Sequence, residues 1–278
     1  MVLLGTAVLV ESRVKEPIIP LDIFRNRTVA LTTVASMLVG VAMFGGTVFL
    51  SQYFQISLGK TPTVAGLMSL PMILGLMVST TVAGQIISSR GKWKGFLIAG
   101  GVIMTAGMGL LSTIGADSSF VVLSLYMVVL GVGVGMLMQN LVLAAQNDVP
   151  ASELGAATSV LSFFRSLGGA IGTSALGAVL GHRVASEMEK GFGGAADNGG
   201  AEHGVPNLST LPEPARQVVE NAYGVATADV FLIGAPFAFL ALIAVLFIKE
   251  KPLRTQSGME RLAEENAAAE KAAAAPTH

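Results

Sequence analysis

The segment AATSVLSFFRSLGGAIGTSALGAVLG, residues 156–181, decides the fold class. About 20 apolar residues, at about 1.5 Å each, cross the hydrocarbon core of a bilayer, and this segment is longer than that. It holds one charge, Arg165, near its middle. Gly168, Gly169 and Gly172 follow on nearly the same helical face, with Thr158 and Ser162 one to two turns earlier. Gly168 to Gly172 and Gly177 to Gly181 are each four apart, the spacing that lets membrane helices approach closely. The segment predicts a membrane helix with one small, polar stripe.

Two readings of Arg165 stand side by side. An arginine centred in lipid costs about 2.5–3.5 kcal/mol on insertion scales, so it faces the bundle or water. In one reading it bonds backbone carbonyls, or snorkels to the cytoplasmic face, and locks helix packing. In the other it is a polar group beside a transport path. Both place it on an inward face.

Composition sets the class. Hydrophobic residues make up 52% of the chain and charged residues only 13%, with a mean hydropathy of +0.68. Soluble domains carry about 25% charged residues, so this is a polytopic membrane protein. A net charge of −1 gives no reason to expect a nucleic-acid partner. Without cysteine there is no disulfide, thiolate nucleophile or Cys-type metal site, and His182, His203 and His278 are too scattered for a metal centre.

Working outward from 156–181, the apolar runs number six: about 28–54, 62–88, 95–115, 119–146, 154–181 and 228–248. Thr61-Pro62 supplies an N-cap and a first-turn proline to the second. Pro71 and Pro236 fall inside the second and sixth, where a bundle tolerates kinks. Met1–Val10 is half a span and reads as the remnant of a truncated transmembrane helix. Residues 11–27 form a polar connection, 182–227 a long outer loop with a short amphipathic helix at Pro214–Tyr223, and 249–278 a solvated tail. The triplet Asn207-Leu208-Ser209 matches a glycosylation sequon, meaningful only in a secretory pathway.

Basic residues give the orientation. With 11–27 in the cytoplasm, the inner segments hold Arg13, Lys15, Arg25, Arg27, Arg90, Lys92, Lys94, Lys249, Lys251, Arg254, Arg261 and Lys271. The outer ones hold only Lys60, Arg183, Lys190 and Arg216. That asymmetry satisfies the positive-inside rule and puts the carboxy-terminal tail inside.

The fourth run carries a second small-then-polar face, Gly131, Gly135, Gln139 and Gln146, with Asn140 beside it. Glycines for close packing with amides as interhelical glue, or the wall of a substrate cavity, both account for it. Phe163, Phe164, Met136, Met138 and Met43 suit an adaptable greasy pocket, or equally a core or lipid face. Gln52 and Gln55 close the first run near its outer end, as a gate or as solvated helix-end residues. No carboxylate lies deep in any run; Asp229, at the outer edge of the last, is the one weak candidate for proton coupling. No hydrolase triad, Walker loop or dinucleotide fingerprint is present, and an enzyme is not expected.

The stretches ESRVKEPIIPLDIFRNR, FLSQYFQISLGKTPTVAGLMSLP and GVGVGMLMQNLVLAAQNDVPASELGAATSVLSFFRSLGGAIG resemble the fourteen-span drug:proton antiporter branch of the major facilitator superfamily. The resemblance covers roughly residues 11–180. It implies the last six of fourteen spans, arranged as 3+3 helix repeats, in a half whose amino-terminal partner half lies in other sequence. Gly84, Arg90, Gly91 and Lys92 match the superfamily's cytoplasmic loop motif, but Ser88 stands where the motif has an aspartate, so that residue's charge-relay role does not carry over.

The expectation is therefore an all-α integral membrane protein, a six-helix bundle forming one half of a major-facilitator fold in the plasma membrane. Its implied work is proton-coupled efflux of amphiphilic drugs by alternating access, with the proton gradient as energy source and no cofactor. A metabolite, lipid or siderophore exporter on the same fold, or a truncated non-transporting fragment, are the alternatives.

Overall fold

The computed structural model describes residues 21–192 and 212–252. Among them every regular element is helical: a 3-10 turn Leu21–Arg25, α1 (Arg27–Ile56), α2 (Pro62–Met68), α3 (Leu70–Arg90), α4 (Lys94–Leu111), α5 (Phe120–Gln146), a 3-10 turn Ala151–Glu153, α6 (Leu154–Gly191) and α7 (Glu213–Leu246). With α2 and α3 forming one span, six stretches are long and apolar enough to cross a membrane. Helix is the form in which such a backbone satisfies its own polar groups without water. The expected helix remnant at 1–10, most of the connection 11–27, the Asn207 sequon and the tail from 253 lie outside the described residues.

Local chemistry sets the helix ends. The Asn26 side chain accepts from the Thr28 amide at 2.9 Å and caps α1. Thr61 caps α2, with Pro62 at its start. Pro71 does not kink a continuous helix: the chain breaks at Ser69, and the proline falls in the first turn of α3, where its missing N–H costs nothing. Pro236 does remain inside α7. The helices also outrun the apolar runs. α6 continues to Gly191 and α7 begins at Glu213, so Pro214–Tyr223 are its first turns rather than a separate surface helix. Charged pairs one turn apart, Glu187–Lys190 and Glu213–Arg216–Glu220, support these extensions.

The helix pairings fall into two matching sets. α1 packs on α6 as α5 packs on α3, and α1 packs on α7 as α5 packs on α4. The α1–α5 and α4–α7 contacts map onto themselves. Exchanging α1, α3, α4 with α5, α6, α7 thus reproduces the bundle, which is the 3+3 repeat. One contact breaks the match: α6 packs extensively on α7, with no comparable α3–α4 contact, and the long α6–α7 hairpin is the source.

Phe49, Tyr53, Phe54, Met104, Met108, Leu123 and Phe231 belong to the core, all at most 2% exposed. Ile73, Leu74, Met77 and Val78 of α3 and Leu232, Phe239, Leu240 and Leu246 of α7 point outward, as lipid-facing residues do. Where α1 ends, the Tyr53 hydroxyl donates to the Gly115 carbonyl at 2.6 Å and Ser57 to the Glu220 carbonyl at 2.8 Å, tying α1 to the α4–α5 turn and to α7.

Candidate functional site

The polar residues that the sequence singles out gather around the seam where α6 lies between α1 and α5. Glycine builds that seam by letting backbones touch. A Cβ on Gly40 would stand 2.1 Å from the Arg165 carbonyl oxygen, and one on Gly168 would stand 2.1 Å from that of Met37. Gly169 and Gly172 continue the row against Phe44 and Val41. On the matching pair, a Cβ on Gly131 would stand 2.1 Å from the Met72 carbonyl oxygen, and one on Gly135 would meet Ser79. Gly177 and Gly181 share the spacing but not the role: a Cβ on either would meet nothing within 4 Å. The stripe read as continuous along α6 therefore divides, with Ser162 exposed and Gly168, Gly169 and Gly172 buried.

Arg165 is 7% exposed and faces the bundle. Its Nη2 donates to the Met138 carbonyl at 3.4 Å, at the long end for such a bond, and its Nε has no partner. Nearby on α5, Asn140 is 1% exposed and donates to its own Met136 carbonyl at 2.6 Å. Gln139 is exposed, so it does not share the buried face of Gly131 and Gly135. Gln146 donates to the Thr158 hydroxyl at 2.8 Å, a side-chain link between α5 and α6.

The other candidates are dispersed. Phe163 is 45% exposed, and Phe164 stacks edge-on against both Phe163 and Phe24. Met43, Met136 and Met138 are half-buried, as is Gln52 near the end of α1, where Gln55 donates to Ser51. Asp229 pairs with Arg183 at 3.2 Å across α6 and α7, which holds it as an ion-pair partner. In the α3–α4 loop motif Gly91 ends α3 with φ +69°, a conformation that favours glycine, while Arg90 and Lys92 are exposed and a Cβ on Gly84 would meet nothing within 4 Å.

One polar cluster escaped sequence reading. The residues after α7 fold back as a clasp over the neighbouring helix ends. Glu250 Oε1 accepts from the Trp93 and Lys94 amides, capping α4 from another part of the chain. The Trp93 indole donates to the Lys251 carbonyl at 3.0 Å, and Asn147 donates to the Pro252 carbonyl at 3.1 Å. Lys251 pairs with the nearly buried Asp148, whose backbone carbonyl accepts from Asn26 at 2.9 Å. Burial alone would raise the Asp148 pKa, but bonds from Lys251, Thr28 and Asn26 and the Lys251 charge outweigh it and hold the carboxyl below its ordinary value. The available signal was Trp93, the lone tryptophan, placed in a basic loop where nothing apolar adjoins it in sequence.

A model of the Major Facilitator Superfamily matches residues 6–173. An uncharacterized MFS-type transporter of Mycobacterium tuberculosis H37Rv is 33% identical over 91% of this chain and 37% of its own length. A multidrug transporter protein of Bacillus subtilis is 35% identical over 63% of this chain and 32% of its own. A tetracycline resistance determinant of Streptomyces rimosus is 33% identical over 59% and 48%. The chain matches about a third to a half of the length of each of these relatives.

Proposed function

The chain belongs to the major facilitator superfamily, and we propose that it forms the carboxy-terminal half of a proton-coupled exporter of amphiphilic compounds. One observation carries this reading. The described residues make a single 3+3 helix set, and relatives named for multidrug transport and tetracycline resistance are two to three times as long as the part they share with this chain. Alternating access needs two such bodies rocking about a site between them. The partners are then the lipid bilayer, an amphiphilic substrate and an amino-terminal half. The fourteen-span branch supplies the proton coupling in this reading. An exporter of a metabolite, lipid or siderophore would use the same architecture and differ only in the cavity walls.

The test is reconstitution into liposomes. The 278-residue chain alone is expected to give no proton-driven ethidium flux, and co-expression with a matching amino-terminal half to restore it. Proton-coupled flux from the isolated chain, abolished by Asp229→Asn, would overturn the half-transporter reading and make Asp229 the coupling group despite its Arg183 partner. Orientation is checked separately in this cysteine-free chain. Impermeant thiol reagents applied to intact cells should label Glu189→Cys, outside, and spare Ser89→Cys, inside; the reverse pattern inverts the topology.

A further inference from the structure

The two matching helix pairs allow one buried position to be compared with its own counterpart. A Cβ on Gly131 would meet the Met72 oxygen at 2.1 Å, the Met72 carbonyl carbon at 3.0 Å and the Leu76 nitrogen at 3.2 Å. A Cβ on Gly40 would meet the Arg165 oxygen at 2.1 Å, the Arg165 carbonyl carbon at 3.0 Å and the Gly169 nitrogen at 3.1 Å. The reciprocal glycines lie three residues on in both pairs: Gly75 against the Val128 carbonyl, Gly168 against that of Met37. Positions 72 and 165 are therefore one slot seen twice. They are 8% and 7% exposed.

The side chains leave the slot in corresponding directions. The Met72 sulfur lies 3.7 Å from the Cβ position of Gly46 on α1. In the register that matches Gly40 to Gly131, Gly46 corresponds to Leu137, and the Arg165 guanidinium reaches the adjacent Met138 carbonyl on α5. A thioether fills the slot in one pair and a guanidinium in the other. The packing thus asks for a long, unbranched side chain and not for a charge.

A charge held there has another use. A guanidinium carries five donors in a planar fork. Arg165 uses one of them, at 3.4 Å, leaves Nε unpartnered, and among the described residues forms no ion pair. Neither Asp148 nor Asp229 supplies a counter-charge: Asp148 is taken by Lys251 and Asp229 by Arg183.

We propose that Arg165 is a carboxylate-binding group of the transport path, held in a packing slot that does not need its charge. The carboxylate belongs either to the transported compound or to an acidic side chain elsewhere in the complete transporter. This rests on the exporter reading above.

The experiment uses Arg165→Met and Arg165→Lys. The Met variant copies the occupant of the counterpart slot, so the 278-residue chain should melt in detergent within about 3 °C of the parent, a shift near the small end for single substitutions. Co-expressed with the amino-terminal half, Arg165→Met should export at least about tenfold more slowly, and Arg165→Lys should recover part of the rate because it keeps the charge without the fork. Two probes locate the carboxylate: ethidium, a cation without one, and norfloxacin, which carries one. Loss for norfloxacin alone assigns it to the substrate; loss for both, with partial rescue by lysine, assigns it to the transporter. Undiminished export of both probes by Arg165→Met overturns the proposal. So does a melting point lowered by about 8 °C or more, which would make the charge a structural need. Absence of export by the parent pair would refute the exporter reading instead, with the melting comparison still deciding the claim about the slot.

Discussion

Leucine at Gly131 should leave no folded population in detergent, and alanine there should lower the melting point by about 5–10 °C. The reason is the atom it meets. A Cβ at this position would stand 2.1 Å from the Met72 carbonyl oxygen, which is backbone and cannot swing aside. Relief requires α3 and α5 to part, and that separates every contact along the pair, including the bond from Thr80 to the Gly135 carbonyl at 3.1 Å. Overpacking costs about 1–3 kcal/mol where side chains can yield and more where they cannot, and each kcal/mol is worth about 2–4 °C at this size. Gly40→Ala should match it, since the two contacts are alike. Gly177→Leu is the control, with nothing within 4 Å to meet, and should shift the melting point by no more than about 2 °C. Equal melting points for the Gly131 and Gly177 variants would remove close backbone approach as the organising force of the bundle.

Trp93→Ala should be comparably damaging, by opening the clasp formed after α7. Trp93 is 1% exposed and among the largest fully buried side chains described. Emptying such a site costs about 3–5 kcal/mol, and the Lys251 carbonyl loses its donor as well. The expected drop is about 10 °C. Glu250→Ala should cost less, about 1 kcal/mol, as loss of a helix cap does. Asp148 gives this end an acid dependence whose sign follows from its lowered pKa. Its contribution is complete above the unfolded carboxyl value of about 3.9 and fades as pH falls through the lower folded value. Asp148→Asn should therefore melt below the parent at pH 7, and the two should converge as pH drops below about 4. A gap that stays constant across that range would show that the Lys251 pair contributes nothing.

What could be read in the sequence was whatever depends on neighbours in the chain. Six apolar runs gave six spans, because crossing lipid depends on length and hydropathy alone. The same measure cut α6 at 181, ten residues short of its end at Gly191, since hydropathy registers lipid and not helix. Gly168–Gly172 and Gly177–Gly181 looked alike, yet only the first pair meets a partner. That partner, α1, lies more than a hundred residues earlier, and spacing within a helix carries no record of it. Arg165 was legible as inward-facing from the cost of a charge in lipid, but which carbonyl it meets was not. The clasp was hidden for the same reason: Glu250 and Trp93 are 157 residues apart, and each alone is an ordinary loop residue. Pro71 read as lying inside one continuous run because nothing local marked Ser69 as the break.

The long hairpin has a mechanical consequence. α6 is 38 residues long, and at about 1.5 Å per residue its length is close to twice the roughly 30 Å of a bilayer's hydrocarbon core. The surplus carries Arg183, Glu187, Glu189 and Lys190, which belong in water, and it is braced against α7 where Val218 meets Gly191. The result is a stiff lever arm rooted in the bundle by the Arg183–Asp229 pair. When a body tilts about a pivot within the membrane, displacement grows with distance from the pivot, so a fluorophore at Glu189 magnifies motions that are small at Arg165. The arm is a pointer to the state of the bundle, readable at its far end without touching the buried seam itself.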